Sequence, residues 1–193
     1  MPGTWTVVLA GGASSRFGSD KLEADLDGRT LLDAALGSVP ADLPVLVVGP
    51  ERPVRRPVRF VREDPPGGGP AAALVAGLTA ALDAGAEAVS TLPGDAPAAG
   101  TALPLLLAAL DGPDLVVAVG ADGQIFPLQV ACTAAGALRI LDGAGPSLGA
   151  GASVRRLLES LDPPPVRVVL PASALLDVDT PADLDRIGVD PTA

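Results

Sequence analysis

The 193-residue chain contains no histidine, no asparagine and no tyrosine, and it has a single cysteine and a single lysine. Without histidine, Ser-His-Asp triads, Cys-His pairs and most zinc-hydrolase sites are excluded. The lone Cys132 cannot form an intramolecular disulfide, which suits a reducing compartment and predicts a cytoplasmic protein. Because Cys132 lies in an apolar stretch, we expect it to be a small buried hydrophobe.

Positive charge and aromatic side chains are also scarce. The formal net charge is −10, and aromatic residues make up 2% of the chain. Nucleic-acid binding depends on basic patches and stacking aromatics, so we expect no nucleic-acid partner. No apolar run reaches the roughly 18–20 residues that span a bilayer, so we expect no membrane association. The length predicts one domain over residues 1–193.

Short β-branched runs alternate with Ala- and Leu-rich segments of helical length. The predicted strands are Thr4–Ala10, Leu43–Val48, Val58–Val61, Ala88–Leu92, Leu115–Val119 and Val166–Leu170. The predicted helices are Thr30–Val39, Pro70–Ala84, Thr101–Leu110, Thr133–Leu141, Ser153–Leu161 and Pro181–Ile187. This alternation predicts an α/β fold: a three-layer domain with a mostly parallel, twisted sheet and helices on both faces. Ligands of such sheets bind at the carboxyl ends of the strands.

The loop after the first predicted strand holds the only lysine. Gly11 and Gly12 let the backbone approach a ligand closely, and exposed N–H groups in such a turn bind phosphate oxygens. Arg16 and Lys21 add positive charge to the same loop. Since the other twelve cations are arginine, a lysine here indicates a task for a compact ammonium. The alternative is an ordinary tight turn that carries an incidental lysine.

Three acidic positions follow other predicted strands or precede the last helix. Asp64 begins a Pro- and Gly-rich loop whose glycines either admit a flat base or sugar, or are only flexible punctuation. Asp95, flanked by Gly94 and Pro97, suits Mg²⁺ with substrate phosphates, or forms only an Asx-turn. Asp179 offers a second carboxylate, or else caps the helix that Pro181 opens.

Three motifs in order resemble those of the molybdenum cofactor guanylyltransferases. They are Leu-Ala-Gly-Gly-x-Ser-x-Arg-x-Gly-x-Asp-Lys from Leu9, Gly-Asp-x-Pro from Gly94, and Asp-x-Asp-Thr-Pro-x-Asp-Leu from Asp177. The resemblance implies a single nucleotidyltransferase domain with a glycosyltransferase-A-like, Rossmann-like fold. It also implies a Mg²⁺-dependent reaction in which GTP gives its GMP to the phosphate of molybdopterin and releases pyrophosphate. Transient contact with molybdoenzymes or other cofactor-biosynthesis proteins is a further implication.

The resemblance also implies roles for individual residues. The nucleotide-binding residues would be Leu9, Ala10, Gly11, Gly12, Lys21, Asp64 and Asp95. The catalytic residues would be Lys21, Arg16 and Asp95, and the Mg²⁺ ligands Asp95 and Asp179. The chemistry fits a chain without histidine, because phosphate is already a nucleophile at neutral pH and catalysis reduces to positioning and charge stabilisation.

Some positions depart from the family pattern, and other functions stay open. Gly49, Asp177 and Asp179 stand where the family often has asparagine, which leaves base and ribose contacts after the second strand uncertain. Arg155 and Arg156 are candidates for the pterin phosphate, or are solvated helix arginines. A cytidylyltransferase, an enzyme with another phosphorylated acceptor, and a non-catalytic nucleotide-binding module are the alternatives. The Leu-Ala-Gly-Gly motif and the Asp-Lys pair that ends it favour the guanylyl branch.

Overall fold

The computed structural model of the protein describes residues 3–11, 20–145 and 149–188. Its strands are β1 (Thr4–Leu9), β2 (Asp25–Leu26), β3 (Arg29–Thr30), β4 (Val45–Val48), β5 (Arg59–Val61), β6 (Ala88–Pro93), β7 (Leu115–Val119), β8 (Ile125–Thr133) and β9 (Val166–Val169). Its α-helices are α1 (Leu31–Ser38), α2 (Pro70–Asp83), α3 (Leu103–Ala108), α4 (Ala134–Ala144), α5 (Val154–Glu159) and α6 (Pro181–Gly188). Short 3₁₀ turns occupy Lys21–Glu23, Ala99–Ala102 and Ala172–Leu175.

Within these described ranges, seven strands form one sheet in the order β5-β4-β1-β6-β8-β7-β9. β5, β4, β1 and β6 pair in parallel, and so do β7 and β9. Only β8 runs antiparallel to both of its neighbours, β6 and β7. The prediction of a mostly parallel sheet is therefore confirmed.

Alternation along β1 divides the core into two halves. Val8 faces a cluster that includes Leu32 and Leu36 of α1, whereas Val7 faces a cluster with Leu74 and Leu78 of α2. These leucines are fully buried, and each contributes about 1.5–3 kcal/mol of hydrophobic stabilisation. Helices thus cover both faces of the sheet, as the sequence predicts. No helix among the described residues is both long and apolar enough to cross a membrane.

Three helices begin one residue later than predicted, because the predicted first residue is the N-cap. The hydroxyl oxygens of Thr30, Thr133 and Ser153 accept hydrogen bonds from backbone N–H groups in the first turns of α1, α4 and α5. Each of these residues has extended backbone geometry, which is usual for an N-cap. Pro70 opens α2, as predicted.

The sequence pattern predicts neither β8 nor the small hairpin of β2 and β3. β8 contains Pro127, and its register with β7 shifts between Val117 and Ala118, so its alternation is interrupted. The hairpin strands have only two residues each. They flank a turn at Asp27 and Gly28, where φ is 55° and 76°. Two residues are too few to show a periodicity.

Candidate active site

Lys21, Asp95 and Asp179 meet at the carboxyl edge of the sheet. The Nζ atom of Lys21 lies 2.5 Å from Oδ2 of Asp95 and 3.3 Å from Oδ1 of Asp179. It also donates a hydrogen bond of 3.1 Å to the carbonyl oxygen of Val178. The side chains of Lys21 and Asp95 are each 19% exposed, and that of Asp179 is 58% exposed. The structure thus brings together three residues that the sequence nominates on separate loops.

Asp95 reaches this position because its loop packs closely against the end of β1. The N–H of Gly94 donates to the carbonyl of Leu9 over 2.9 Å. A Cβ atom at position 94 would lie 3.2 Å from Leu32 Cδ1 and 3.3 Å from the Leu9 oxygen, so a larger residue would push the loop outward. Glycine before Asp95 therefore sets how close the carboxylate lies to the first loop.

A single backbone hydrogen bond docks the segment that carries Asp179 onto the Asp95 loop. The N–H of Val178 donates to the carbonyl of Asp95 over 3.0 Å. The Val178 side chain is fully buried in a small cluster with Leu26, Leu31 and Ala34. The β2–β3 hairpin and α1 thus anchor Val178, which holds its neighbour Asp179 beside Lys21.

The start of α6 explains why the Asp179 carboxylate faces the site. Oδ2 of Asp183 accepts hydrogen bonds from the backbone N–H groups of Asp179 and Thr180, at 3.2 and 2.8 Å. The Thr180 hydroxyl bonds to the same oxygen over 2.8 Å. A carboxylate from the first helical turn thus satisfies these N–H groups. Asp179 contributes its backbone to this arrangement, and its side chain contacts Lys21.

Arg52 fixes the turn from which Lys21 extends, and sequence reasoning does not find it. Its Nη1 lies 2.6 Å from Oδ2 of Asp20, and the Arg52 side chain is only 9% exposed. The other oxygen of Asp20 accepts from the N–H of Leu22 over 3.1 Å and begins the 3₁₀ turn at Lys21. Nothing in the sequence distinguishes Arg52 from the other eleven arginines.

The site carries an excess of negative charge around one ammonium. Partial burial lowers the pKa of Lys21, but hydrogen bonds and charge attraction from Asp95 and then Asp179 outweigh it, so the pKa lies above its ordinary value. Loss of hydration, followed by repulsion from Asp179 and Asp95, raises the pKa of Asp177. Lys21 is therefore a permanent cation at neutral pH, and a second cation would relieve the remaining repulsion.

A pocket of about 440 Å³ lies beside this cluster. It is lined by Ala10, Gly11, Asp20, Pro50, Arg52, Arg62, Glu63, Gly67, Gly69, Pro70 and Ala73. Asp20 links the pocket to the cluster, since Lys21 is the next residue. The volume falls within the range of small-molecule sites.

The predicted nucleotide-binding residues fall differently around this pocket. Ala10 and Gly11 line it, whereas Leu9 is buried in the core. Asp64 is exposed and is not among the lining residues, and the neighbouring Glu63 lines the pocket instead. Gly12 and Arg16 lie outside the described residues, so their roles remain predictions. Arg155 pairs with Glu159 on α5 and lines a small groove with residues of β7, β8 and β9.

The glycine at position 49 has a steric cause. Its φ is 153°, and a Cβ atom there would lie 2.6 Å from the carbonyl oxygen of Ala10. The end of β4 therefore approaches β1 too closely for any side chain. An asparagine at position 49 would displace this backbone, so contacts after the second predicted strand have to come from the residues that follow, such as Pro50 and Arg52.

The acidic pair has the chemistry of a divalent-cation site. Asp95 and Asp179 each direct one carboxylate oxygen at the same ammonium, so both oxygens face one cation position. Among the described residues, no group of three or more His, Cys, Asp or Glu side chains could hold a metal by itself. Two carboxylates completed by substrate phosphates are how Mg²⁺ is usually held. The residues present therefore fit such an ion.

Similarity to known proteins extends over most of the chain. A family model described as the MobA-like NTP transferase domain matches residues 6–166. A molybdenum cofactor guanylyltransferase from Acidiphilium cryptum (strain JF-5) is 35% identical over 146 residues, which cover 72% of this chain and 74% of that protein.

Solved structures share the fold. Molybdopterin-guanine dinucleotide biosynthesis protein A from Archaeoglobus fulgidus superimposes with a TM-score of 0.74 at 19% identity, over 95% of this chain and 96% of that one. Rv0371c from Mycobacterium tuberculosis H37Rv, solved with manganese, gives 0.61 at 21% identity, over 95% and 97%. A 2-C-methyl-D-erythritol 4-phosphate cytidylyltransferase from Thermus thermophilus gives 0.65 at 17% identity, over 95% and 97%. The chain is therefore a nucleotidyltransferase that belongs to the MobA-like NTP transferase family.

Proposed function

We propose that the protein transfers GMP from GTP to the terminal phosphate of molybdopterin, with Mg²⁺ as the metal ion. The observation that carries the proposal is the Lys21 ammonium between the Asp95 and Asp179 carboxylates, adjacent to a pocket of about 440 Å³. The 35% identity to a molybdenum cofactor guanylyltransferase supports the choice of donor and acceptor.

The proposed reaction is a displacement at phosphorus. A phosphate oxygen of molybdopterin attacks the α-phosphorus of GTP and forms a new P–O bond. The bond from the α-phosphorus to the oxygen that bridges to the β-phosphate breaks, and pyrophosphate leaves with that electron pair. The products are molybdopterin guanine dinucleotide and pyrophosphate. The attacking phosphate is ionised at neutral pH, so no side chain has to remove a proton.

The chain's own residues then bind and orient charged groups. Lys21 binds the phosphates of the nucleotide and stabilises the negative charge that shifts toward the leaving pyrophosphate. Asp95 and Asp179 hold Mg²⁺, which when bound neutralises phosphate charge as a Lewis acid. Asp20 and Arg52 keep the Lys21 turn in place through their 2.6 Å ion pair. Arg16 and Gly12 are proposed to contact the phosphates as well.

The alternatives differ in what they consume. A non-catalytic nucleotide-binding module would bind GTP without releasing pyrophosphate. A cytidylyltransferase would release pyrophosphate from CTP, and an enzyme for another acceptor would ignore molybdopterin. A coupled assay for pyrophosphate, run with each of the four nucleoside triphosphates, with and without molybdopterin and Mg²⁺, separates these cases.

We expect pyrophosphate release only when GTP, molybdopterin and Mg²⁺ are all present. Release from CTP alone among the nucleotides would replace the guanylyl assignment with a cytidylyl one. No release under any combination would contradict the transferase function proposed here.

A further inference from the structure

Glu63 is a buried carboxylate whose hydrogen-bonding capacity is only half used. It is 7% exposed and lies two residues after β5, at the carboxyl edge of the sheet. Its Oε1 accepts a hydrogen bond of 3.0 Å from the N–H of Gly67. Its Oε2 is buried and has no hydrogen-bond partner in the described part of the chain. A buried carboxylate oxygen without a donor is costly, so a native protein that keeps one calls for an explanation.

Glu63 belongs to the wall of the pocket beside Lys21. A Cβ atom at Gly11 would lie 3.6 Å from Oε1 and 3.9 Å from Oε2, so the absence of a side chain at Gly11 leaves the carboxylate approachable from that direction. The terminal torsion of a glutamate is soft, which lets a small rotation turn either oxygen toward the pocket. Arg52, whose Nε also has no partner in the described residues, lines the same pocket and offers a donor.

A carboxylate in this position selects among nucleobases by their donor patterns. An ionised carboxylate accepts hydrogen bonds through both oxygens and donates none. Guanine is the one common base whose Watson–Crick edge carries two adjacent donors, N1–H and the N2 amino group, beside the O6 acceptor. Adenine and cytosine place a ring-nitrogen acceptor next to their single amino group, and uracil has one donor between two acceptors. Only guanine gives a carboxylate two donors without an opposing acceptor.

We propose that Glu63 is the specificity-determining residue for the base, with its carboxylate accepting hydrogen bonds from N1–H and the N2 amino group of guanine. The inference rests on the proposed use of a guanine nucleotide and assigns the base recognition to one side chain. It also separates Glu63 from Asp64, the neighbour nominated by family resemblance, whose side chain is exposed and outside the pocket lining.

Glu63 also stabilises its own loop, and the test has to separate the two roles. Through the Gly67 contact, Oε1 holds the loop that leads to α2. Glu63→Gln keeps a carbonyl oxygen for Gly67 and replaces the other oxygen with an amide NH₂ of nearly the same size. A purely structural Glu63 would tolerate this change with the nucleotide preference intact. A base-reading Glu63 would change its preference, because the amide donates where the carboxylate accepts.

The experiment measures binding of the Mg²⁺ complexes of GTP, ITP, XTP and CTP by calorimetry, for the wild-type protein and for Glu63→Gln. Inosine lacks the N2 amino group, so the wild type is expected to bind ITP roughly 10- to 100-fold more weakly than GTP. Xanthine carries a carbonyl at C2, which matches an amide donor. Glu63→Gln is expected to lose roughly 10- to 100-fold in GTP affinity and to prefer XTP.

Two control variants make the same chemical change elsewhere. Glu87→Gln alters an exposed glutamate just before β6, at the opposite end of that strand from Asp95, and should leave the GTP preference unchanged. Asp64→Asn tests the competing carboxylate. A shift from GTP to XTP in Asp64→Asn, with none in Glu63→Gln, would overturn the assignment.

The wild-type comparison of GTP with ITP needs no variant, so it keeps the inference falsifiable even if Glu63→Gln folds poorly. Equal binding of GTP and ITP would overturn it. Failure of the proposed function looks different: the wild type would prefer GTP and Glu63→Gln would prefer XTP, yet no molybdopterin guanine dinucleotide would form. In that outcome the base assignment stands and the acceptor has to be replaced.

Discussion

The ammonium of Lys21 lies 2.5 Å from a carboxylate oxygen of Asp95, although the two residues come from loops that follow different strands of the sheet. β1 and β6 are parallel neighbours, so their carboxyl ends meet at one edge and bring the two loops together. The contact neutralises a carboxylate that the proposed reaction requires for a metal ion. Lys21 and Asp95 therefore have to exchange partners when a metal–nucleotide complex binds.

Replacing Asp95 with alanine should abolish turnover without unfolding the protein. The tertiary hydrogen bonds of its loop use the backbone carbonyl of Asp95, which the substitution retains, and the side chain contacts Lys21 alone in the described contacts. We expect pyrophosphate release to fall by at least about 100-fold, because a metal ligand is lost. Asp83→Ala, at the exposed end of α2, is the matched control. Wild-type rates from Asp95→Ala would refute the metal assignment.

Replacing Lys21 with arginine should be harmful although the charge is kept. The ammonium fits between two carboxylates and a backbone carbonyl at 2.5, 3.3 and 3.1 Å. A planar guanidinium is larger and directs its donors differently. We expect kcat/KM for GTP to fall at least about tenfold. The reverse exchange at an exposed position, Arg59→Lys on the edge strand β5, should have no effect. Full activity of Lys21→Arg would show that charge alone suffices there.

Arg56 should stabilise the fold without affecting nucleotide binding. Its guanidinium donates four hydrogen bonds of 2.6–3.1 Å to the backbone carbonyls of Leu36, Val39, Pro40 and Leu43. We expect Arg56→Ala to lower the free energy of unfolding by about 2–4 kcal/mol in a urea titration. Arg56→Lys should cost less, about 1–2 kcal/mol, since one ammonium replaces a two-nitrogen fork. Unchanged stability in both variants would mean that water satisfies these carbonyls equally well.

Cys132 should be unreactive in the folded protein. It is fully buried on β8, and burial, together with the charge of Asp114, raises the pKa of its thiol to about 12. At pH 8 we expect iodoacetamide to modify Cys132 only in denaturant, because the thiolate is the reacting form. Mass spectrometry of the intact protein measures this. Rapid alkylation without denaturant would show that β8 opens readily.

The same shift gives a pH dependence. The folded state holds the thiol proton more tightly than the unfolded state, whose pKa is about 8.5. The stability that this contributes is complete below that value and is lost as the pH rises toward about 12. The free energy of unfolding of the wild type should therefore decline relative to Cys132→Ala above pH 9. A constant difference between the two proteins would contradict the buried, protonated thiol.

The convergence of Lys21, Asp95 and Asp179 is predictable from the sequence because it follows from topology. Loops that leave parallel strands share an edge of the sheet, and Pro181 marks the helix beside which Asp179 lies. The roles assigned to these residues remain predictions. The layer arrangement follows equally from strands that alternate with helices.

The choice between Glu63 and Asp64 is not predictable from the sequence. Both acids closely follow β5, and which one enters the pocket depends on the backbone path after that strand. The Arg52–Asp20 pair is equally hidden, since it joins distant positions with no motif around the arginine. Long-range side-chain pairs and single-residue orientation are properties of the folded backbone, whereas periodicity reports only on regular elements.

The most direct test of the account follows the α-phosphate of GTP. The protein is incubated with Mg²⁺, molybdopterin and GTP that carries ³²P at either the α or the γ position, and the products are separated by chromatography. Attack of molybdopterin on the α-phosphorus predicts that the α label appears in molybdopterin guanine dinucleotide and the γ label in pyrophosphate. Appearance of the γ label in the pterin product, or of the α label only in free GMP, would contradict guanylyl transfer.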